Sequence, residues 1–157
     1  MLGMSGRRIS LFLATAALFG CNRGIFSGDR LVGTWKSTLS LRTYLIDGTD
    51  VYKPDGTLTS HRLLHPLREQ SGSTVDFSGT WTPAGKNAYL RQIKDINYSF
   101  AGVTAEEAEA IRQQLEAQKA QALSNANVAP EMDVRWAGPD AFLVIERGMQ
   151  NAYRRAQ

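Results

Sequence analysis

The chain has 157 residues, with 18 Lys and Arg against 15 Asp and Glu and a formal net charge of +3. Hydrophobic residues make up 43% and charged residues 21%, an ordinary globular balance that excludes collagenous, disulfide-rich and strongly disordered chains. Only one apolar run is long enough to matter, which excludes a bundle of membrane-spanning helices, and the length suits a single domain.

Residues 1–20 carry no acidic residue, and Arg7 and Arg8 precede an apolar run from Ile9 to Phe19. That run has the length of a signal-peptide core and is too short for a spanning helix, which needs about 20 residues. It ends in Leu18-Phe19-Gly20-Cys21. This resembles the bacterial lipoprotein box, with an aliphatic residue at −3, a small one at −1 and cysteine at +1. The resemblance implies a signal peptide over 1–20, a diacylglycerol on the sulfur of Cys21 and cleavage just before it, followed by acylation (palmitate) of the new amino group. Cys21 is the only cysteine, so an internal disulfide is excluded. Two or three acyl chains anchor a protein stably where one is marginal. Asn22, rather than Asp, follows the cysteine. In a host with two membranes the resemblance then implies the outer membrane, with the protein on its periplasmic face or at the surface. Loss of Arg7 and Arg8 leaves 16 basic and 15 acidic residues, a net of +1, and no arginine-rich tract remains. A nucleic-acid partner is therefore not expected.

Residues 21–30 read as a lipidated tether with two glycines, short enough to hold the folded part close to a bilayer. Beyond it the signals are those of β-hairpins. Val75, Phe77 and Trp81 alternate with Asp76, Ser78 and Thr80, the period of a half-buried strand. Lys53-Pro54-Asp55-Gly56 is a turn in which Pro presets φ and Gly accepts a positive one, and Pro83-Ala84-Gly85-Lys86-Asn87 is another. Asp47-Gly48 is either a tight turn or a bulge inside a longer strand. These signals predict strands near 31–38, 43–53, 57–64, 73–82 and 87–94. Thr104-Ala105-Glu106-Glu107 has the form of a capping box and opens a run of good helix formers to about Leu123, with a thin apolar stripe of Ala108, Ile111, Leu115 and Ala122. Strand signals return at 132–136 and 141–146, and a last short strand is expected at 153–155.

Val32-Gly33-Thr34-Trp35 is echoed 46 residues later by Ser78-Gly79-Thr80-Trp81. Each copy puts Gly and Trp on one strand face, where the glycine admits a neighbouring backbone and the indole fills the adjoining volume. Two such plugs suit a sheet that closes on itself. These segments, with Tyr52-Lys53-Pro54-Asp55-Gly56-Thr57 between them, resemble the lipocalin-like domains of bacterial lipoproteins. Those domains have Gly-x-Trp strands around an aromatic-x-x-Asp-Gly-Thr hairpin and often end in an aromatic-Arg pair, here Tyr153-Arg154. The resemblance covers residues 31–93 well and 131–155 loosely. It implies a mainly β domain over 31–157, an antiparallel up-and-down barrel or strongly curved sheet, with one inserted helix at about 104–123. The helix lies before the last strands rather than after them, unlike that of true lipocalins.

Catalytic patterns are not found. His61 and His65 are the only histidines, on one side of a strand, and zinc usually takes three or four protein ligands, so no metal site is expected. No Gly-x-Ser-x-Gly elbow or phosphate loop occurs, Glu106 and Glu107 point apart on the helix, and no cofactor or enzymatic activity is expected. Trp35, Trp81, Trp136, Tyr44, Phe77 and Phe142 either line an apolar cavity or are the core itself. The helix either caps an open barrel end or displays Gln113, Gln114, Gln118 and Gln121 to a partner. Two functions follow as expectations: a membrane-anchored envelope protein that binds a small apolar ligand without catalysis, or a protein-interaction module of the envelope with a filled barrel.

Overall fold

A computed structural model describes residue 26 and residues 28–67, 72–128, 131–146 and 149–157. The leader, the lipobox and Cys21 lie outside the described residues. The strands are β1 (Gly33–Ser40), β2 (Tyr44–Tyr52), β3 (Thr57–Pro66), β4 (Ser73–Pro83), β5 (Ala88–Phe100), β6 (Glu131–Gly138), β7 (Ala141–Glu146) and β8 (Met149–Arg155). One helix, α1 (Ala105–Ala126), stands between β5 and β6. Each strand pairs antiparallel with the next, and β8 returns to β1 through Trp35↔Arg155, Lys36↔Arg154 and Ser37↔Tyr153. The sheet is thus a closed eight-stranded up-and-down barrel, and closure removes the exposed edges that an open sheet would carry.

The expected strands are present. Gly48 continues β2 in register, opposite Ser37 and Arg62, and makes no turn there. The Lys53–Gly56 turn closes with a Gly56 N–H to Lys53 C=O bond of 3.0 Å and a φ of +83° at Gly56. β5 runs six residues further than its alternation predicts. The register slips between Ser78 and Gly79, so that Asp95 and Ile93 face consecutive residues of β4 and Lys94 is the extra residue. Lys94 is exposed, and the apolar positions on either side, Ile93 and Ile96, stand three apart instead of two. A bulge of this kind resets the strand's faces and hides its second half from a period-two reading.

The closed end of the barrel is a plug of rings. Trp35, Tyr52, Leu58, Trp81, Tyr89, Met132, Val134, Phe142, Val144 and Tyr153 are buried and packed together. The Phe142 ring meets Trp35 edge-on at 4.6 Å and stacks on Tyr153 at 4.7 Å. Trp81 packs against Tyr52, Tyr89 and Phe26, with centroids 5.0–5.9 Å apart. Each buried indole N–H is satisfied by a carbonyl, Trp35 on Leu31 at 2.8 Å and Trp81 on Lys53 at 3.0 Å. Gly33 has φ +141°, and a Cβ there would strike the Arg155 guanidinium, which lies 4.3 Å above the Trp35 ring. Arg155 also donates to the carbonyls of Val32 and Arg30. The arginine that locks the closing strand over a tryptophan is thus Arg155, while Arg154 is exposed. Part of the expected tether belongs to the fold: the Phe26 N–H bonds the Pro54 carbonyl at 2.8 Å, and Asp29 accepts from the Leu31 N–H and the Tyr89 hydroxyl.

α1 has the expected capping box in full, with Thr104 accepting from the Glu107 N–H and the Glu107 carboxylate accepting from the Thr104 N–H. It runs past Leu123 to Ala126, and Asn127 is its C-cap. The helix buries no residue completely and packs on β5. The strand leaves room for it, because β5 pairs with β6 only over Ala88–Leu90. Just beyond, the Asn127 side chain takes the place of a strand: its Oδ1 accepts from the Ile93 N–H and its Nδ2 donates to the Ile93 carbonyl, both at 2.9 Å. Lys119 adds an ion pair to Asp95 at 2.6 Å. Among the described residues no helix is long and apolar enough to cross a membrane.

Candidate ligand cavity

Above the plug the inner face of the wall changes character. The inward positions of β1, β2 and β3, which should be apolar in a filled barrel, hold Ser37, Asp50, Ser60 and Arg62. Asp50 is 1% exposed. Arg62 Nη2 donates to Asp50 Oδ2 at 3.0 Å, and Nη1 stands 2.6 Å from Oδ1 as an ion pair. Burial pulls the Arg62 pKa down, but the hydrogen bond and charge of Asp50 more than offset it and hold the guanidinium above its usual value. Gly48 makes the space: a Cβ there would come within 2.5–2.6 Å of Arg62 Nη1 and Ser37 Oγ. Arg91 reaches the same layer from β5, near the Tyr52 hydroxyl. That hydroxyl in turn lies 3.8 Å from the Met132 sulfur. Burial first, then the nearby Asp50 charge, raises the pKa of both Tyr52 and Tyr153. The buried Ser60 hydroxyl has no hydrogen-bond partner.

A cavity of about 300 Å³ stands on this layer. Its floor is polar, formed by Ser37, Arg62, Arg91, Asn151 and Tyr153. Its walls are apolar, formed by Leu39, Ile46, Leu64, Val75 and Phe77 from the halves of β1–β4 that lie away from the plug. The volume is at the lower end of the range for small-molecule sites. A buried ion pair contributes little net stability compared with well-packed apolar residues, so the core alone does not account for Asp50 and Arg62.

Of the six aromatic candidates, Phe77 lines this cavity. Trp35, Trp81 and Phe142 are in the plug, each 0–1% exposed. Trp136 packs against that plug, 5.9 Å from Trp35 and 5.3 Å from Phe142, with Arg30 4.1 Å over its ring. Tyr44 is 42% exposed at the start of β2. The polar floor escapes a search by motif, and its one sequence signal is polar residues at inward parity in otherwise alternating strands. The histidines are on the outer face: His61 Nδ1 is 2.7 Å from Asp76 and His65 Nε2 is 3.5 Å from Asp47, all four about half exposed. Among the described residues no group of three or more His, Cys, Asp and Glu could hold a metal ion. The helix lies against the barrel wall rather than across the cavity, and Gln113, Gln114, Gln118 and Gln121 are all exposed.

Fold and site together define a class, a lipocalin-like barrel: closed, antiparallel, plugged at one end and hollow toward the other, with one inserted helix. Neither a scan against protein-family models nor a search of curated proteins finds a match to the chain.

Proposed function

We propose that the protein is a lipid-anchored binding protein of the cell envelope, non-catalytic, attached through Cys21 and holding a small, mainly apolar ligand in the barrel. The cavity carries this reading: about 300 Å³ of space with apolar walls, above a plug that already serves as the core. The leader and the lone cysteine support the anchor. Phe26 docks beside Pro54 and Trp81 at the plugged end. Cys21 stands five residues before Phe26 in the sequence.

Two measurements test the reading. Native mass spectrometry of protein extracted gently from membranes is expected to show a co-purifying small molecule, and Cys21→Ser is expected to abolish palmitate labelling and leave an uncut precursor. Bare protein under gentle extraction would remove the ligand, and undiminished labelling would move the anchor elsewhere. A second reading, a partner-binding module, draws on the helix, which displays four glutamines and buries none of its residues completely. Replacing those glutamines with alanine leaves the ligand in place if the first reading holds.

A further inference from the structure

If the cavity is a ligand site, as proposed above, the strand register sets which way the ligand lies. Inward side chains of β1–β4 form rows that step from the plug toward the mouth. The row nearest the plug joins Trp35, Asp50, Ser60 and Phe77. The next joins Ser37, Gly48, Arg62 and Val75, with Tyr153 opposite Ser37. The third joins Leu39, Ile46 and Leu64 and is wholly aliphatic. Leu41 and Tyr44 follow at the rim, tied by a backbone bond of 2.8 Å and 36% and 42% exposed. Polarity along the hollow is therefore inverted: the polar rows are deep and the apolar ones lie nearer the mouth. We infer that the ligand is a small amphiphile bound head-inward, its polar end among Ser37, Asn151 and Tyr153 and its tail along Leu39, Ile46 and Leu64 toward the rim. A wholly apolar molecule would drive water off the deep polar groups and return no hydrogen bond, which is costly, and an amphiphile entering tail-first would leave both of its ends mismatched. One unmet group is already present a row below, the buried Ser60 hydroxyl, which has no hydrogen-bond partner. Ser, Asn and Tyr side chains each donate and accept, so a hydroxyl or amide head meets them without a charge of its own. The cations on the floor do not call for one: Asp50 holds Arg62, and Arg91 has a partner within the protein.

Photolabelling tests the inference with two isomers of octanol, one carrying a diazirine ring at the second carbon and the other at the seventh. Each is added to membrane vesicles that hold the full-length protein, irradiated and mapped by peptide mass spectrometry. Labelling is counted where excess octanol suppresses it and where Val75→Trp protein, whose cavity is filled, lacks it. The isomer labelled near its tail is expected to mark Leu39, Ile46, Leu64 and the rim, and the isomer labelled near its head to mark Ser37, Val75 and Tyr153. The reverse pattern, or one pattern for both isomers, overturns the inference and leaves the cavity reading standing. No suppressible labelling by either isomer overturns the cavity reading and the inference with it. Unmodified octanol is expected to suppress labelling at a membrane concentration about fivefold lower than octane, the size of one net hydrogen bond, and equal suppression overturns the inference. Asn151→Leu is expected to bring that ratio within about twofold while octane keeps its own potency, a result that general damage to the barrel would not give. A ratio that Asn151→Leu leaves unchanged also overturns the head-inward placement.

Discussion

Gly48 shows how one residue decides what the barrel interior can hold. It sits mid-strand, where a glycine is ordinarily a weakness, yet its missing side chain is the space that the Arg62 guanidinium and the Ser37 hydroxyl occupy. Gly48→Ala is expected to push Arg62 off Asp50. Overpacking a well-filled site costs about 1–3 kcal/mol, and Asp50 would lose part of its compensation besides. The denaturation midpoint should fall accordingly and ligand affinity with it. A midpoint unchanged within error would mean that Arg62 can withdraw freely and that the ion pair is not held by packing. Gly33 and Gly79 work in the same way at the plug. The first leaves room for Arg155, and the second lies against the Gln92 carbonyl at the bulge.

At the scale of elements, the barrel wall and the helix are held by different means. Strands β1–β5 pair over most of their lengths, whereas β5 and β6 share three residue pairs and α1 covers the strand beyond them. The joint there is Asn127, whose amide satisfies both backbone groups of Ile93. Asn127→Ala leaves those groups without that partner, at a cost of about 1–3 kcal/mol if water does not replace it. Because α1 has no completely buried residue, the loss is expected to be local. Hydrogen exchange should speed at the Ile93 amide and along α1 while the plug strands keep their protection. Uniform acceleration across the barrel would instead make the helix part of one cooperative unit. The capping box and the Lys119–Asp95 pair act on the same element. Bonds from Thr104 hold the Glu107 pKa below its ordinary value, and the Lys119 ammonium, followed by Asn97, does the same for Asp95.

For the molecule as a whole, the plug ties stability to pH on the alkaline side. Burial raises the pKa of Tyr52, Tyr89 and Tyr153, with Asp50 adding to the rise at Tyr52 and Tyr153 and the bond to Asp29 adding to it at Tyr89. A group whose folded pKa lies above its unfolded value contributes stability that is fully present below the unfolded value, about pH 10 for tyrosine, and lost as pH climbs toward the folded one. Each such tyrosine takes away up to about 1.4 kcal/mol per pH unit between those two values, against a typical domain stability of about 5–15 kcal/mol. Phenolate absorbance from these three is therefore expected to appear together with loss of the β-sheet circular dichroism signal. Their ionisation at about pH 10 with the sheet intact would contradict the burial.

Much of this architecture is legible in the residues themselves. Alternation marks the strands, Pro54 and Gly56 mark the hairpin, Thr104 and Glu107 mark the helix start, and the repeated Gly-Thr-Trp marks the plug. These signals are local: they rest on side-chain period, turn geometry and capping within a few residues. The second half of β5 was hidden because a bulge at Lys94 breaks the period, and that bulge has meaning only opposite Gly79. The polar floor was hidden for a related reason. Ser37, Asp50 and Arg62 meet through the β1–β3 hairpins, but Arg91 on β5 and Asn151 on β8 join their layer only when β8 closes on β1. Sequence therefore determined the elements and the sheet class. The choice between aromatic core and ligand wall was left to barrel closure, which sent Trp35, Trp81 and Phe142 into the plug and Phe77 to the cavity, because closure alone sets which inward side chains share a layer.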